Sequence, residues 1–193
     1  MNILFTTQSG SLKMFYELFL SLQKEIYFDK VGFYVTDQFN YYNFTNSHSK
    51  TFLNDRIQII KEWEIIEKSR TEKIDYALIQ NFSKKLADFN IWDPIIADRF
   101  IYYGARCNLY QNYKPRFSYE SIVRILQSGL KVINDSIEEI SPDLIMGYNS
   151  ITFGETLYYY FAKTKKIPYL NLRSLKLKNY VCFGTSINKS IEL

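Results

Sequence analysis

The sequence predicts a three-layer α/β/α domain of Rossmann-like type, built on a mostly parallel sheet. Two observations predict it. Residues 1–35 alternate a short apolar run, an amphipathic stretch and a second apolar run, and the last third of the chain repeats that order. A strand–helix–strand unit of this kind needs parallel strands, because the helix carries the chain back to the edge it started from.

Taken in order, Asn2–Thr6 reads as a buried strand and Thr7-Gln8-Ser9-Gly10-Ser11 as a polar turn. Leu12, Phe15, Phe19, Leu22 and Ile26 then recur at helical spacing, with Lys13, Glu17 and Lys24 between them. Val31–Val35 is the second strand, and the chain leaves it at Asp37. Residues 39–54 are expected to be helical, Arg56–Ile60 to form a third strand, and 73–89 and 94–104 to form helices. A loop with Asn112, Lys114 and Pro115 precedes a long helix from about 119 to 140, capped by Ser118 and stopped by Ser141-Pro142. Its apolar stripe is Ile122, Leu126, Leu130, Ile133, Ile137 and Ile140. Asp143–Gly147 is a strand, Tyr148–Ile151 a loop, and Thr152-Phe153-Gly154-Glu155 has the capping-box pattern of a helix start. The strand Tyr169–Leu172 follows Ile167-Pro168 and leads to Arg173. With no repeat and no low-complexity linker, residues 1–193 are expected to be one domain.

Composition narrows the function classes. Hydrophobic residues make up 47% of the chain and charged residues 23%, the balance of a globular protein. The 24 basic residues exceed the 20 acidic ones only slightly and are scattered, which argues against a nucleic-acid partner. The same balance leaves room for weak peripheral association with an anionic membrane surface. The opening Met-Asn-Ile-Leu-Phe-Thr-Thr-Gln lacks the basic and apolar parts of a signal peptide, and no run reaches transmembrane length. Cys107 and Cys182 match no metal or redox spacing. A cytoplasmic setting is expected, with the sequons at Asn43 and Asn81 as chance occurrences.

In a doubly wound sheet the first strand lies centrally, and its helix and that of its neighbour cover opposite faces. Their loops part and open a crevice at the carboxyl ends of the strands. Here those loops are 7–11 and 147–152, both at helix N-termini, where free N–H groups favour anionic or hydroxyl-rich ligands. Gln8-Ser9-Gly10-Ser11 has a single glycine, so neither a dinucleotide fingerprint nor a P-loop is present.

The run Ser141-Pro142-Asp143-Leu144-Ile145-Met146-Gly147 carries a resemblance, together with a following helix that ends Ala162-Lys163, then Ile167-Pro168-Tyr169-Leu170 and a strand ending in Arg173. Over roughly residues 118–179, and less closely over 1–37, the chain resembles the N-terminal domain of GT-B glycosyltransferases of bacterial capsular and surface polysaccharide biosynthesis. Sugar-nucleotide 2-epimerases share the layout. The resemblance implies an acceptor-side domain that holds a glycan or lipid-linked glycan. A second, C-terminal domain, missing from this chain, would bind the nucleotide-sugar donor. No other cofactor is implied. A single domain of that kind is expected to be inactive alone. The alternatives are a non-catalytic Rossmann-like domain that binds a nucleotide or a protein partner, and half of a sugar-nucleotide epimerase. The 147–150 loop lacks the acidic residue an epimerase would use for proton abstraction.

The candidate binding residues follow from the two loops. Gln8, Ser9, Gly10 and Ser11 are placed to hold an acceptor sugar or a phosphate, or alternatively form a tight turn with a serine cap. Asn149 and Ser150 are placed to bond sugar hydroxyls, or serve the loop. Glu155 is the candidate base that the resemblance implies, although its place three residues after Thr152 favours a capping role. Arg173, at the end of its strand, is a candidate partner for an anionic group, or a structural ion pair. Asp98 and Arg99 read as a local salt bridge within a helix. His48, the single histidine, reads as part of a solvated loop at 45–49.

Overall fold

The computed structural model describes residues 1–52, 56–102, 116–148, 151–174 and 180–187. Its strands are β1 (Ile3–Thr7), β2 (Val31–Val35), β3 (Ile57–Lys61), β4 (Leu144–Tyr148), β5 (Tyr169–Ser174) and β6 (Val181–Gly184). Its helices are α1 (Ser11–Leu22), α2 (Gln38–Phe52), α3 (Glu62–Ser69), α4 (Tyr76–Lys85), α5 (Asp93–Ala97), α6 (Arg99–Tyr102), α7 (Tyr119–Ile140) and α8 (Phe153–Thr164). The six strands form one sheet in the order β3-β2-β1-β4-β5-β6. All neighbours are parallel except β5 and β6. This is the Rossmann-like three-layer arrangement expected from the sequence, with the order reversing between β1 and β4.

Side chains alternate across the sheet, so each strand feeds two cores. Ile3, Phe5, Val31, Phe33 and Val35 point to one face and pack under α1 and α2 with Phe15, Phe19 and Phe52. Leu4, Tyr34, Ile60 and Ile145 point to the other and meet α3, α7 and α8. The helix after β1 and the helix after β4 therefore cover opposite faces, as the crevice argument requires.

The long helix falls at 119–140 as its stripe predicts, with Ser118 Oγ accepting from Ser121 N at 3.2 Å. The middle of the chain departs from expectation in three places. The helix expected over 39–54 is present as α2, and it runs through the 45–49 stretch read as a solvated loop: Tyr41, Phe44 and Phe52 are buried, and His48 lies over the Phe44 ring at 4.5 Å. Packing of that aromatic face overrides a run of weak helix formers, at the expense of a kink at His48. Glu62–Ser69 forms a helix directly after β3, where none was anticipated. The helix expected at 94–104 is broken at Asp98, whose extended backbone lets its carboxylate Oδ1 accept from Phe100 N (2.8 Å) and Ile101 N (3.2 Å). A short carboxylate bonding the backbone two and three residues ahead ends one helix and caps the next. Asp98 makes no salt bridge with Arg99, contrary to the local pair expected.

Candidate functional site

The turn after β1 is held by its own serine. Ser11 Oγ donates to Gln8 O at 2.8 Å and accepts from Gln8 N at 2.9 Å, and Ser11 is buried. Gln8 Nε2 donates to Tyr148 O at 2.7 Å, tying the carboxyl ends of β1 and β4 together across the point where the strand order reverses. Ser9 sits in the left-handed region, φ 44°. Gly10 has ordinary right-handed backbone, φ −71°, and open space where a Cβ would stand. Of these four residues, Gln8 and Ser9 line the main cavity; Ser11 closes the turn beneath.

The start of α8 is built from acids. Asp98 Oδ2 accepts from Phe153 N at 2.8 Å, and Glu62 Oε2 accepts from Gly154 N at 3.2 Å. Glu155 Oε2 accepts from Ile151 N and Thr152 N, both at 3.2 Å, while Thr152 Oγ1 accepts from Glu155 N, which completes the capping box. The helix dipole favours negative groups here. The expectation that this helix end offers free N–H groups to an anionic ligand is therefore corrected: the protein's own side chains already occupy them.

Glu62 reaches α8 because Tyr34 leads it there. Tyr34 lies wholly buried against Gly154, and its hydroxyl donates to Glu62 Oε2 at 2.6 Å. A Cβ on residue 154 would stand 1.7 Å from Tyr34 Oη, so only glycine admits the ring. Burial, reinforced by the nearby charge of Asp98, pushes the Glu62 carboxyl up from 4.5 to about 8. Burial also pushes Glu155 up to about 7, against the pull of the bonds it accepts from Thr152 and Ile151. Tyr34 is raised well above its ordinary value by burial and by Glu62. Two carboxyl groups thus titrate near neutrality at one helix end.

They differ in access. Glu155 is fully buried and caps its helix, so the candidate base named from the resemblance is turned away from solvent. Glu62 lines a cavity of about 680 Å³ at the carboxyl ends of β1, β2 and β3. Its Oε1 makes no hydrogen bond among the described residues, since both of its bonds fall on Oε2. Phe39, Tyr42, Trp63 and Phe100 wall this cavity, and Asp37, Glu62 and Asp98 bring carboxylates to it. Gln8, Ser9 and Thr152 form its polar lip, and among the described residues no lysine or arginine lines it. A smaller cavity of about 410 Å³ opens at the amino end of β2, beside Arg56 and Tyr27, away from these acids.

Arg173 donates to Ser186 O at 3.3 Å and to Ile187 O, fastening the segment after β6, and does not line the crevice. Asn149 and Ser150 lie outside the described residues. Sequence reasoning missed Glu62, Trp63 and the capping role of Asp98. Glu62 directly follows the third strand, so the carboxyl-end rule applied to β1 and β4 also marks it.

Among the described residues, no group of three or more His, Cys, Asp or Glu side chains is arranged to hold a metal ion, and no helix is long and apolar enough to cross a membrane. Comparison with protein families, with curated proteins and with solved structures finds no match.

Proposed function

We propose that this chain is the acceptor-side domain of a glycosyltransferase of surface polysaccharide biosynthesis, holding a glycan in the β1–β3 crevice while a sugar is transferred to it from a nucleotide-sugar donor. The observation that carries the reading is the lining of the crevice. Aromatic rings at Phe39, Tyr42 and Trp63 offer flat apolar faces, and Asp37 and Glu62 offer acceptors for hydroxyl groups. A sugar has both an apolar face and a rim of hydroxyls. A pyrophosphate would meet Asp37, Glu62 and Asp98 with no lysine or arginine among the described lining residues, so the donor belongs to a second domain on this reading.

Glu62 is our candidate for receiving the proton of the acceptor hydroxyl. Its Oε1 makes no hydrogen bond among the described residues. Burial, which raises the group to about 8, makes its ionised form a stronger base than an ordinary carboxylate, so transfer is expected to increase as pH rises through 8. Glu155 supports α8 instead.

Calorimetry tests the reading directly. Neutral oligosaccharides are expected to bind this chain, and Trp63→Ala to weaken them about tenfold, a loss of about 1.4 kcal/mol, with the fold checked by thermal melting. Nucleotide sugars are expected not to bind. Micromolar binding of a nucleotide sugar, with none of any glycan, would favour the nucleotide-binding alternative and end this proposal.

A further inference from the structure

The crevice does not stop at Asp98. A second cavity of about 670 Å³ lies beyond it, and Asp98, Phe100 and Thr152 line both. Sharing these three residues, the two cavities adjoin at the start of α6 and the N-terminus of α8, and a ligand longer than one sugar unit that lies across this edge would find them as a single groove. Their chemistry differs. Among the described residues the first half is lined by carboxylates and by no basic residue, whereas Arg99, Thr156 and Tyr160 line the second.

Arg99 is exposed, and among the described residues it makes no hydrogen bond or ion pair. The reason lies in its neighbour. Both oxygens of Asp98 are engaged by the N–H groups of Phe100, Ile101 and Phe153, so the adjacent carboxylate is held away from the guanidinium. Asp93, the other carboxylate on this half, has its Oδ1 bonded by Asn90 Nδ2 at 2.8 Å. Among the described residues Arg99 keeps its fork of donors unused at the far end, whereas the other guanidinium nearby, that of Arg116, is stacked on the Phe100 ring with 4.0 Å to the centroid.

We propose that the groove takes a glycan of at least two units that carries an anionic group. The neutral unit lies against Trp63 and Tyr42, and the carboxylate or phosphate of the next unit meets Arg99. The inference rests on the reading of the crevice as a glycan site and adds the length and charge of its ligand. A carboxylate on an acidic sugar and a phosphate on a glycosyl phosphate share the chemistry that Arg99 recognises.

The test compares three probes of matched length by calorimetry: a neutral disaccharide, the same disaccharide with a uronate unit, and its glycosyl phosphate. Because Arg99 is exposed and solvent-screened, the anionic probe it suits is expected to bind about fivefold tighter than the neutral one at low salt. The probe that gains identifies the source of the charge. Arg99→Gln is expected to abolish the preference while leaving affinity for the neutral probe and the melting temperature unchanged. Raising salt to 0.5 M is expected to shrink the preference in the unaltered chain. Equal binding of all three probes, or a preference that survives Arg99→Gln, overturns this inference while the glycan reading stands. Failure of every probe to bind overturns both, and that outcome is recognised by Trp63→Ala having nothing to weaken.

Discussion

The helix starts on either side of the sheet's reversal point are built from the same sequence logic and end up opposite in character. At α8 the N–H groups are met by Asp98, Glu62, Thr152 and Glu155, three of them carboxylates and two of those from distant parts of the chain. At α1 no side chain caps the helix and no acidic residue lies in its first turn; a serine folds the turn onto the strand end. A helix N-terminus is an anion site only while its donors are free. One of these two has been closed by the protein's own acids, and its role in the crevice is to position Glu62 and Asp98.

Removing the small residue at the centre of the closed side is expected to have the largest effect. Gly154→Ala drives a methyl into the Tyr34 ring, which is fully buried and pinned against Tyr158 with ring centroids 5.0 Å apart. Tyr34 cannot yield without losing its bond to Glu62. Overpacking in a dense core costs about 1–3 kcal/mol, and the lost hydrogen bond places this substitution near the upper end. Urea denaturation measures it; a change under 1 kcal/mol would show that the two sides are alike in rigidity and break the comparison.

A pH series sharpens it. Glu62 is raised to about 8 and Glu155 to about 7, both from 4.5. Between 4.5 and 7 the folded chain keeps two protons that the unfolded chain has released, and between 7 and 8 it keeps one. Stability from these groups is therefore greatest at or below pH 4.5 and falls as pH rises, by about 1.4 kcal/mol per pH unit for each retained proton, flattening above 8. Glu62→Gln preserves an acceptor for Tyr34 and Gly154 N without the charge. Its melting temperature is expected to fall less steeply from pH 5 to pH 8 and to exceed that of the unaltered chain at pH 8.5. Parallel curves for the two proteins would mean that Glu62 does not titrate in this window.

The five parallel strands and their reversal point were legible because they rest on local signals: period-two and period-3.6 apolar spacing, Ser118 and Ser141-Pro142 at the ends of α7, and the capping box at Thr152; the short antiparallel edge strand β6 was not. The acids at α8 were not. Asp98 and Glu62 act on backbone groups 55 and 92 residues away, and no spacing rule connects them. Asp98 also hid behind a neighbouring arginine that suggested a local pair. Arg173 misled in the opposite sense: a basic residue at a strand end looks like a ligand clamp, but its partners are carbonyls of a later segment. His48 looked solvated because its neighbours are polar, whereas the aromatic face of α2 carries it into contact with Phe44.

The smallest effect separates the open side's two central residues. Ser9 holds a left-handed backbone that costs an L-residue about 1–2 kcal/mol, and its position at the crevice lip makes that strain a candidate for function. Gly10, beside it, has right-handed backbone, open space at its Cβ and no place in the cavity wall. The glycine stands one residue away from where backbone geometry alone would put it. Ser9→Gly relieves the strain and adds freedom to the unfolded chain, so stability is expected to rise by about 0.5 kcal/mol at most. Glycan affinity is expected to fall severalfold with the hydroxyl gone. Gly10→Ala is expected to raise stability by a similar amount with affinity unchanged, because its methyl faces neither core nor crevice. Thermal melting and calorimetry on the pair decide whether the turn is shaped for a ligand. If Ser9→Gly gains stability and keeps full affinity, the left-handed serine has no part in binding, and the crevice ligand rests on the aromatic wall and Glu62 alone.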